Sequence, residues 1–221
     1  MMTYRGLYQS GLCLIMDRGD RIKPAFDSAV SAIGSGVKWI QLRDKTSDRL
    51  QIFKTSRVLR ALTLANGVKL IINDYPDIAL AVDADGVHIG QDDMPIKYVR
   101  KVFAKKRHII IGVSTHSVEE AVRAEEEGAD YIGFGPVFHT TTKDAGSPKG
   151  IEMLSQVLSQ VSIPVVAIGG IVQENVKLVL EAGAHAVAVA SGIMESEDIG
   201  KTAAEFVDTV SNRISTNMVK R

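Results

Sequence analysis

Asp74, Asp93, Arg43, Lys45 and Lys143 are the side chains of this chain best suited to handling a strongly anionic substrate. Asp74 and Asp93 each stand just beyond a short apolar run, at 70–72 and 86–89. Two carboxylates so placed could share a hard divalent cation that also holds a substrate phosphate, the usual manner of Mg²⁺ binding. Arg43 and Lys45 alternate along the exit of another run and so point the same way. With Lys143 they could neutralise a polyphosphate and stabilise its departure. A bland alternative stands beside each reading. Asp74 could cap a helix ahead of Pro76, Asp92 and Asp93 could form a solvated turn, and the cations could make surface ion pairs.

Two glycine-bearing pieces add a possible phosphate cradle: Gly169-Gly170, and Ala190-Ser191-Gly192. Each follows an apolar run and precedes a helical stretch, so backbone N–H groups are open to a phosphate there. Two ordinary tight turns are the alternative. The polar stretch from His139 to Gly150 could form a lid, with Thr140 and Thr142 offering hydroxyls to phosphate oxygens, or a flexible tip with no role. His88, inside an apolar run, could be a pocket wall facing substrate or a satisfied core residue. His108 and His185 open such runs and read as structural, while His116 and His139 follow them, with no zinc spacing. Neither a Gly-x-Ser-x-Gly elbow nor a phosphate-binding P-loop is present.

These residues need a scaffold that brings strand exits together. Short apolar runs recur at 12–16, 39–42, 70–72, 86–89, 109–113, 131–134, 165–168 and 186–190. Such runs suit strands buried on both faces, as in a parallel sheet. Helical spacing lies between them. Over 49–63 the pattern places Leu50, Phe53, Val58, Leu59 and Leu62 near one face. Ser117-x-x-Glu120 is a capping box, and Pro76 suits a first helical turn. Glycine joints repeat at Gly36, Gly67, Gly128 and Gly183, each reading as helix, glycine cap, then strand. Eight strands alternating with about as many helices predict an α/β fold, a single-domain (β/α)₈ TIM barrel over residues 1–221, with its core at about 11–214 and a frayed tail from 218. A doubly wound open sheet is the alternative. In the barrel the candidate site residues fall on the C-terminal end of the strands, where barrel chemistry gathers, and His108 and His185 fall on the opposite end.

Composition bounds the rest. The 221 residues carry 26 Lys+Arg against 26 Asp+Glu, and 45% are hydrophobic. That share supports a core, and zero net charge argues against a nucleic acid held by bulk charge. One cysteine, Cys13, rules out an internal disulfide framework and reads as a small core residue. No run is long enough to span a membrane, and the first residues lack the apolar stretch of a signal peptide. A cytoplasmic protein is expected, with a homo-oligomer left open.

Read together, the loops resemble the thiamine-phosphate synthase family. The matching pieces are Gln41-Leu42-Arg43-Asp44-Lys45, Ile72-Asn73-Asp74, Gly86 through Asp93, Gly112 through His116, Gly135 through Phe138 with Thr140-x-Thr142-Lys143, Ala167 through Ile171, and Val189 through Ile193. They run in the family's order from about residue 12 to 195. The resemblance implies a transferase of thiamine biosynthesis. It couples 4-amino-5-hydroxymethyl-2-methylpyrimidine diphosphate to 4-methyl-5-(2-phosphooxyethyl)thiazole, releasing diphosphate. It implies Mg²⁺ on Asp74 and Asp93. Gln41, Arg43, Lys45, Asn73 and Lys143 would hold the pyrimidine diphosphate, and Ser114 would sit against the reacting centre. Thr140, Thr142, Gly170, Ala190 and Ser191 would bind the thiazole phosphate. Ser114, Lys143, Arg43 and Lys45 would carry the catalysis. Three departures stand out: His139 where the family often has Pro, Met16 where threonine is common, and a Ser191-Gly192-Ile193 piece shared with thiazole tautomerases of the same fold. A tautomerase or a non-catalytic phospholigand barrel are thus the competing expectations.

Overall fold

The strand runs form a closed ring. In a computed structural model that describes residues 11–17, 25–106, 108–140 and 146–219, all adjacent strands pair in parallel, in the order β1 to β8 with β8 closing on β1. The strands are β1 (Leu12–Asp17), β2 (Trp39–Arg43), β3 (Lys69–Asn73), β4 (Gly86–Ile89), β5 (Ile110–Thr115), β6 (Tyr131–Phe134), β7 (Val165–Ile168) and β8 (Ala186–Val189). The helices among the described residues are α1 (Ala25–Gly34), α2 (Arg49–Ala65), α3 (Pro76–Ala81), α4 (Ile96–Val102), α5 (Val118–Glu126), α6 (Gly150–Gln160), α7 (Val176–Glu181), α8 (Ser191–Met194) and α9 (Ile199–Val219). The expected barrel is the observed fold. The backbone of α9 continues to Val219, past the point where the sequence suggested fraying; residues 220 and 221 lie outside the described set.

Each strand buries both faces for a different purpose. Leu12, Leu14 and Met16 of β1 join the outer core between barrel and helices, whereas Cys13 and Ile15 face the barrel interior. The interior core is Cys13, Ile15, Trp39, Ile71, Ile110, Tyr131, Val166, Ala186 and Ala188. Because side chains alternate along a strand, the inward row of β2 is Trp39, Gln41 and Arg43. Its lower member fills the core and its upper members line a cavity. Packing at one end of the barrel and polar side chains at the other thus follow from one periodicity.

The joints are as expected. In each, the residue after the glycine returns its N–H to a helix carbonyl five residues back: Ala129 to Ala124 at 2.9 Å and Val68 to Thr63 at 2.8 Å. Gly36, Gly67, Gly128 and Gly183 all have positive φ, the backbone this cap requires. Ser117 caps α5 by accepting from the Glu120 N–H at 3.2 Å, but the Glu120 carboxylate turns to the His116 N–H at 2.7 Å instead of closing the capping box on Ser117. Pro76 opens α3 behind Tyr75, which caps without a side-chain bond. Asp74 is therefore not that helix's cap.

One amphipathic face needs correction. The buried residues of α2 are Ile52, Ser56, Leu59 and Thr63, while Leu50 and Val58 are exposed. Leu59 is buried and Phe53 and Leu62 pack against the core, so the expected face holds in part; the inward stripe also contains two hydroxyls that hydrophobicity does not mark. Ser56 Oγ donates to the Ile52 carbonyl at 2.8 Å and Thr63 Oγ1 to the Arg60 carbonyl at 3.1 Å, which satisfies both within the core.

Candidate active site

The strand exits enclose one open cavity of about 440 Å³. It is lined by Gln41, Arg43, Lys45, Asn73, Asp74, His88, Asp93, Ser114, Thr140, Gly170, Ala190 and Ser191 among others. Every expected site residue within the described set therefore meets at this cavity. Thr142 and Lys143, and with them the middle of the expected lid, lie outside the described residues.

The wall from β2 to β4 carries the charge. Asp74 follows β3 directly in a left-handed conformation, φ 64, which an aspartate tolerates at a cost of about 1 kcal/mol. Its N–H donates to the His88 carbonyl at 2.8 Å, which anchors the turn to β4. Lys45 pairs with its carboxylate. Asp93 accepts from the Gly90 N–H at 2.6 Å. Burial raises the Asp93 carboxyl above its ordinary range; the Gly90 N–H pulls it down, Asp74 beside it raises it again, and Lys45 lowers it. Two carboxylates close enough to oppose each other's ionisation form a site that a divalent cation would relieve. No cluster of three or more His, Cys, Asp or Glu in metal-binding arrangement exists among the described residues. Two hard oxygen donors with room for water and substrate phosphate suit Mg²⁺, and do not suit a closed zinc site.

Polar pairs lock the rest of this wall. Gln41 Nε2 donates to Asn73 Oδ1 at 2.8 Å, and both are buried. Arg43 pairs with Asp17, its register partner on the adjacent strand. Asp44 turns away from the cavity and accepts from the Thr46 and Ser47 N–H groups at 3.1 and 2.9 Å, which bends the loop between Arg43 and Lys45. These bonds hold the Asp44 carboxyl below the ordinary range against the opposing effect of its burial.

At the floor, His88 bridges Tyr131 and Ser114. Its Nδ1 lies 2.9 Å from Tyr131 Oη and its Nε2 lies 2.9 Å from Ser114 Oγ. His88 lines the cavity and is at the same time buried with both ring nitrogens bonded, so each of its two readings describes part of the structure. Ser114 is held from behind as well, since Gln91 Nε2 donates to its carbonyl at 2.6 Å and Arg123 Nη2 to Gln91 Oε1 at 2.7 Å. His185 accepts from the Val165 N–H at 3.2 Å, a structural use. Cys13 is fully buried in the interior core, where desolvation pushes its thiol well up.

The opposite wall is backbone. In an eight-strand ring, β7 and β8 face β3 and β4. Gly170 has φ +63, and a Cβ there would stand 2.2 Å from the His139 carbonyl oxygen. Only glycine lets the loops after β6 and β7 approach so closely. Asp17, Gln91 and Tyr131 are the participants that sequence reasoning missed. Each acts through a partner from another strand or loop, and only the positions of Asp17 and Gln91 at strand exits could have pointed to them.

Comparisons with known proteins agree with this geometry. The family model for thiamine monophosphate synthase matches residues 12–193. A thiamine-phosphate synthase of Halalkalibacterium halodurans is 48% identical over 183 residues, 82% of this chain and 86% of that protein. One from Methanocella arvoryzae is 49% identical over 181 residues, 81% of this chain and 84% of that one. Among solved structures, thiamine phosphate pyrophosphorylase from Pyrococcus furiosus superposes with a TM-score of 0.86 at 38% identity, covering 94% of this chain and 99% of that one. A geranylgeranylglyceryl phosphate synthase from Thermoplasma acidophilum, with a TM-score of 0.70 at 17% identity, shares the fold alone. With a family match across most of the barrel and relatives at nearly half identity, the chain belongs to the thiamine monophosphate synthase family.

Proposed function

We propose that this chain is a transferase that joins 4-amino-5-hydroxymethyl-2-methylpyrimidine diphosphate to 4-methyl-5-(2-phosphooxyethyl)thiazole, giving thiamine phosphate and diphosphate. The observation that supports this reading is one cavity with charged side chains on one wall and glycine-bearing backbone on the other. Asp74, Asp93, Arg43 and Lys45 stand on the β2–β4 wall, and the Gly170 and Ala190-Ser191 backbone stands across from them.

Asp74 and Asp93 would hold Mg²⁺, which when bound supplies positive charge to the diphosphate oxygens. Arg43, oriented by Asp17, and Lys45 neutralise the same group. The pyrimidine methylene C–O bond breaks and diphosphate takes the electron pair. The thiazole nitrogen then forms the C–N bond with its lone pair, and no proton need move. Such a path requires charge stabilisation and positioning, not a protein nucleophile. That agrees with a cavity whose floor carries the Ser114 and Tyr131 hydroxyls on His88 and, among the described residues, no Ser-His-Asp triad. Gln41 and Asn73 hold each other and would orient the pyrimidine. Thr140, Thr142, Gly170, Ala190 and Ser191 would anchor the thiazole phosphate, and Lys143 would act on the departing diphosphate. One barrel domain, working on free small molecules in the cytoplasm, would suffice. No helix among the described residues is long and apolar enough to cross a membrane.

The test is the coupled assay. Purified protein given both substrates and Mg²⁺ should release diphosphate and thiamine phosphate, and a chelator should abolish turnover. Folded protein that yields no product overturns the proposal. Isomerisation of the thiazole that survives both chelator and Asp93→Ala would establish a tautomerase instead.

A further inference from the structure

The chain of bonds from Tyr131 through His88 to Ser114 has a direction, and the direction decides what Ser114 can offer the cavity. A neutral imidazole carries one proton. If the Tyr131 phenol donates to Nδ1, the proton sits on Nε2 and is donated to Ser114 Oγ. Ser114 then keeps its own proton for the cavity. In the reverse direction Ser114 donates to Nε2, Nδ1–H donates to the phenol oxygen, and Ser114 presents only lone pairs. An anionic leaving group is stabilised by the first arrangement and repelled by the second.

Two physical facts favour the first. A phenol, with an ordinary pKa of about 10, is far more acidic than a neutral imidazole N–H or an aliphatic hydroxyl, so it is the better donor of the three. The hydrogen bond at one imidazole nitrogen sets which tautomer the other presents. The barrel is also built around this phenol. Gly112 is its register partner on β5, and a Cβ there would stand 2.1 Å from Tyr131 Cζ and 2.4 Å from its hydroxyl. A Cβ on Gly133 would come within 3.1 Å of the His88 ring. Trp39 closes on the Tyr131 ring edge-on, at 5.2 Å and 90°. The ring is therefore fixed by packing, with its hydroxyl 2.9 Å from the imidazole Nδ1.

We propose that Tyr131 is a positioning residue that holds His88 in the Nε2–H tautomer, so that Ser114 donates a hydrogen bond to the departing diphosphate. The inference rests on the transferase reading above. Tyr131→Phe removes the hydroxyl and leaves the packed ring. Gln91 continues to hold the Ser114 backbone, so the serine stays in place.

The first measurement is ¹⁵N NMR of histidine-labelled wild-type protein without substrate, with His88 assigned by loss of its signals in His88→Gln. The expected result is protonation at Nε2, and protonation at Nδ1 overturns the proposal. It stands whether or not a Tyr131 variant folds, and whether or not the chain is a synthase. The second is steady-state coupling. Tyr131→Phe should lower kcat about tenfold while leaving KM for both substrates within about twofold. In a Ser114→Ala background the same substitution should cost nothing further. An unchanged kcat, or an equal loss in the Ser114→Ala background, overturns the proposal. Wild-type protein without coupling activity overturns the transferase reading alone.

Discussion

Asp93 is half-buried beside another carboxylate, so in metal-free protein its ionisation works against the fold. Its pKa is raised, chiefly by burial, so the folded chain retains a proton that the unfolded chain has already released. Stability therefore falls as pH rises from the ordinary carboxylate range through the raised value, and the loss is complete above it. Asp93→Asn removes this effect and keeps an oxygen for the Gly90 N–H. The variant's thermal midpoint should gain on wild type across that window, then run parallel. Mg²⁺ should raise the wild-type midpoint and not the variant's. A difference that stays constant with pH would refute the argument. Asp17 acts at the same scale. It shares a register position with Arg43 and would fix the guanidinium, so Asp17→Asn should lower kcat/KM for the pyrimidine diphosphate about tenfold with little change in melting. Unchanged kcat/KM would show that Arg43 needs no such support.

Elements place these side chains, and the fit between elements is close where substrate would sit. Gly170, after β7, meets the loop after β6 with no room for a methyl group. Gly170→Ala should destabilise the protein by about 1–3 kcal/mol and raise KM for the thiazole phosphate about tenfold, read from denaturant unfolding and titration of the phosphate ligand. A stable variant with native affinity would remove Gly170 from the cradle. Strand existence, the α5 cap and the glycine joints were legible because each depends on neighbours within about five residues. The polar members of the buried face of α2 were not, since Ser56 and Thr63 take core positions by bonding to their own helix.

At the scale of the whole molecule, the balance of 26 basic and 26 acidic residues conceals a segregated cavity rim. Acids there would hold a metal and bases a phosphate, so a neutral protein can take small, highly charged substrates. Cys13 lies fully buried in the interior core below that rim, with its thiol pushed well up by desolvation. Cys13 should therefore resist thiol reagents in the native state and be modified only as fast as the barrel opens. Labelling at a rate independent of denaturant, well below the unfolding transition, would contradict a closed interior.

The order of residues was enough to announce a repeating strand-and-helix chain, the ends at which its polar residues gather, and Gln41, Arg43, Lys45, Asn73, Asp74, Asp93 and Ser114 as candidates. Periodicity, caps and strand exits are local properties, and local sequence carries them. Which residues face one another depends on the closure and register of the ring. Asp74 meets Asp93, Asp17 meets Arg43, and Tyr131 lies in the space left by Gly112 because parallel strands far apart in the chain are set side by side. The barrel also turns β7 and β8 toward β3 and β4, which brings the charged wall and the glycine-bearing wall into one cavity. No short stretch of sequence contains that distance, because it is a property of the closed circle.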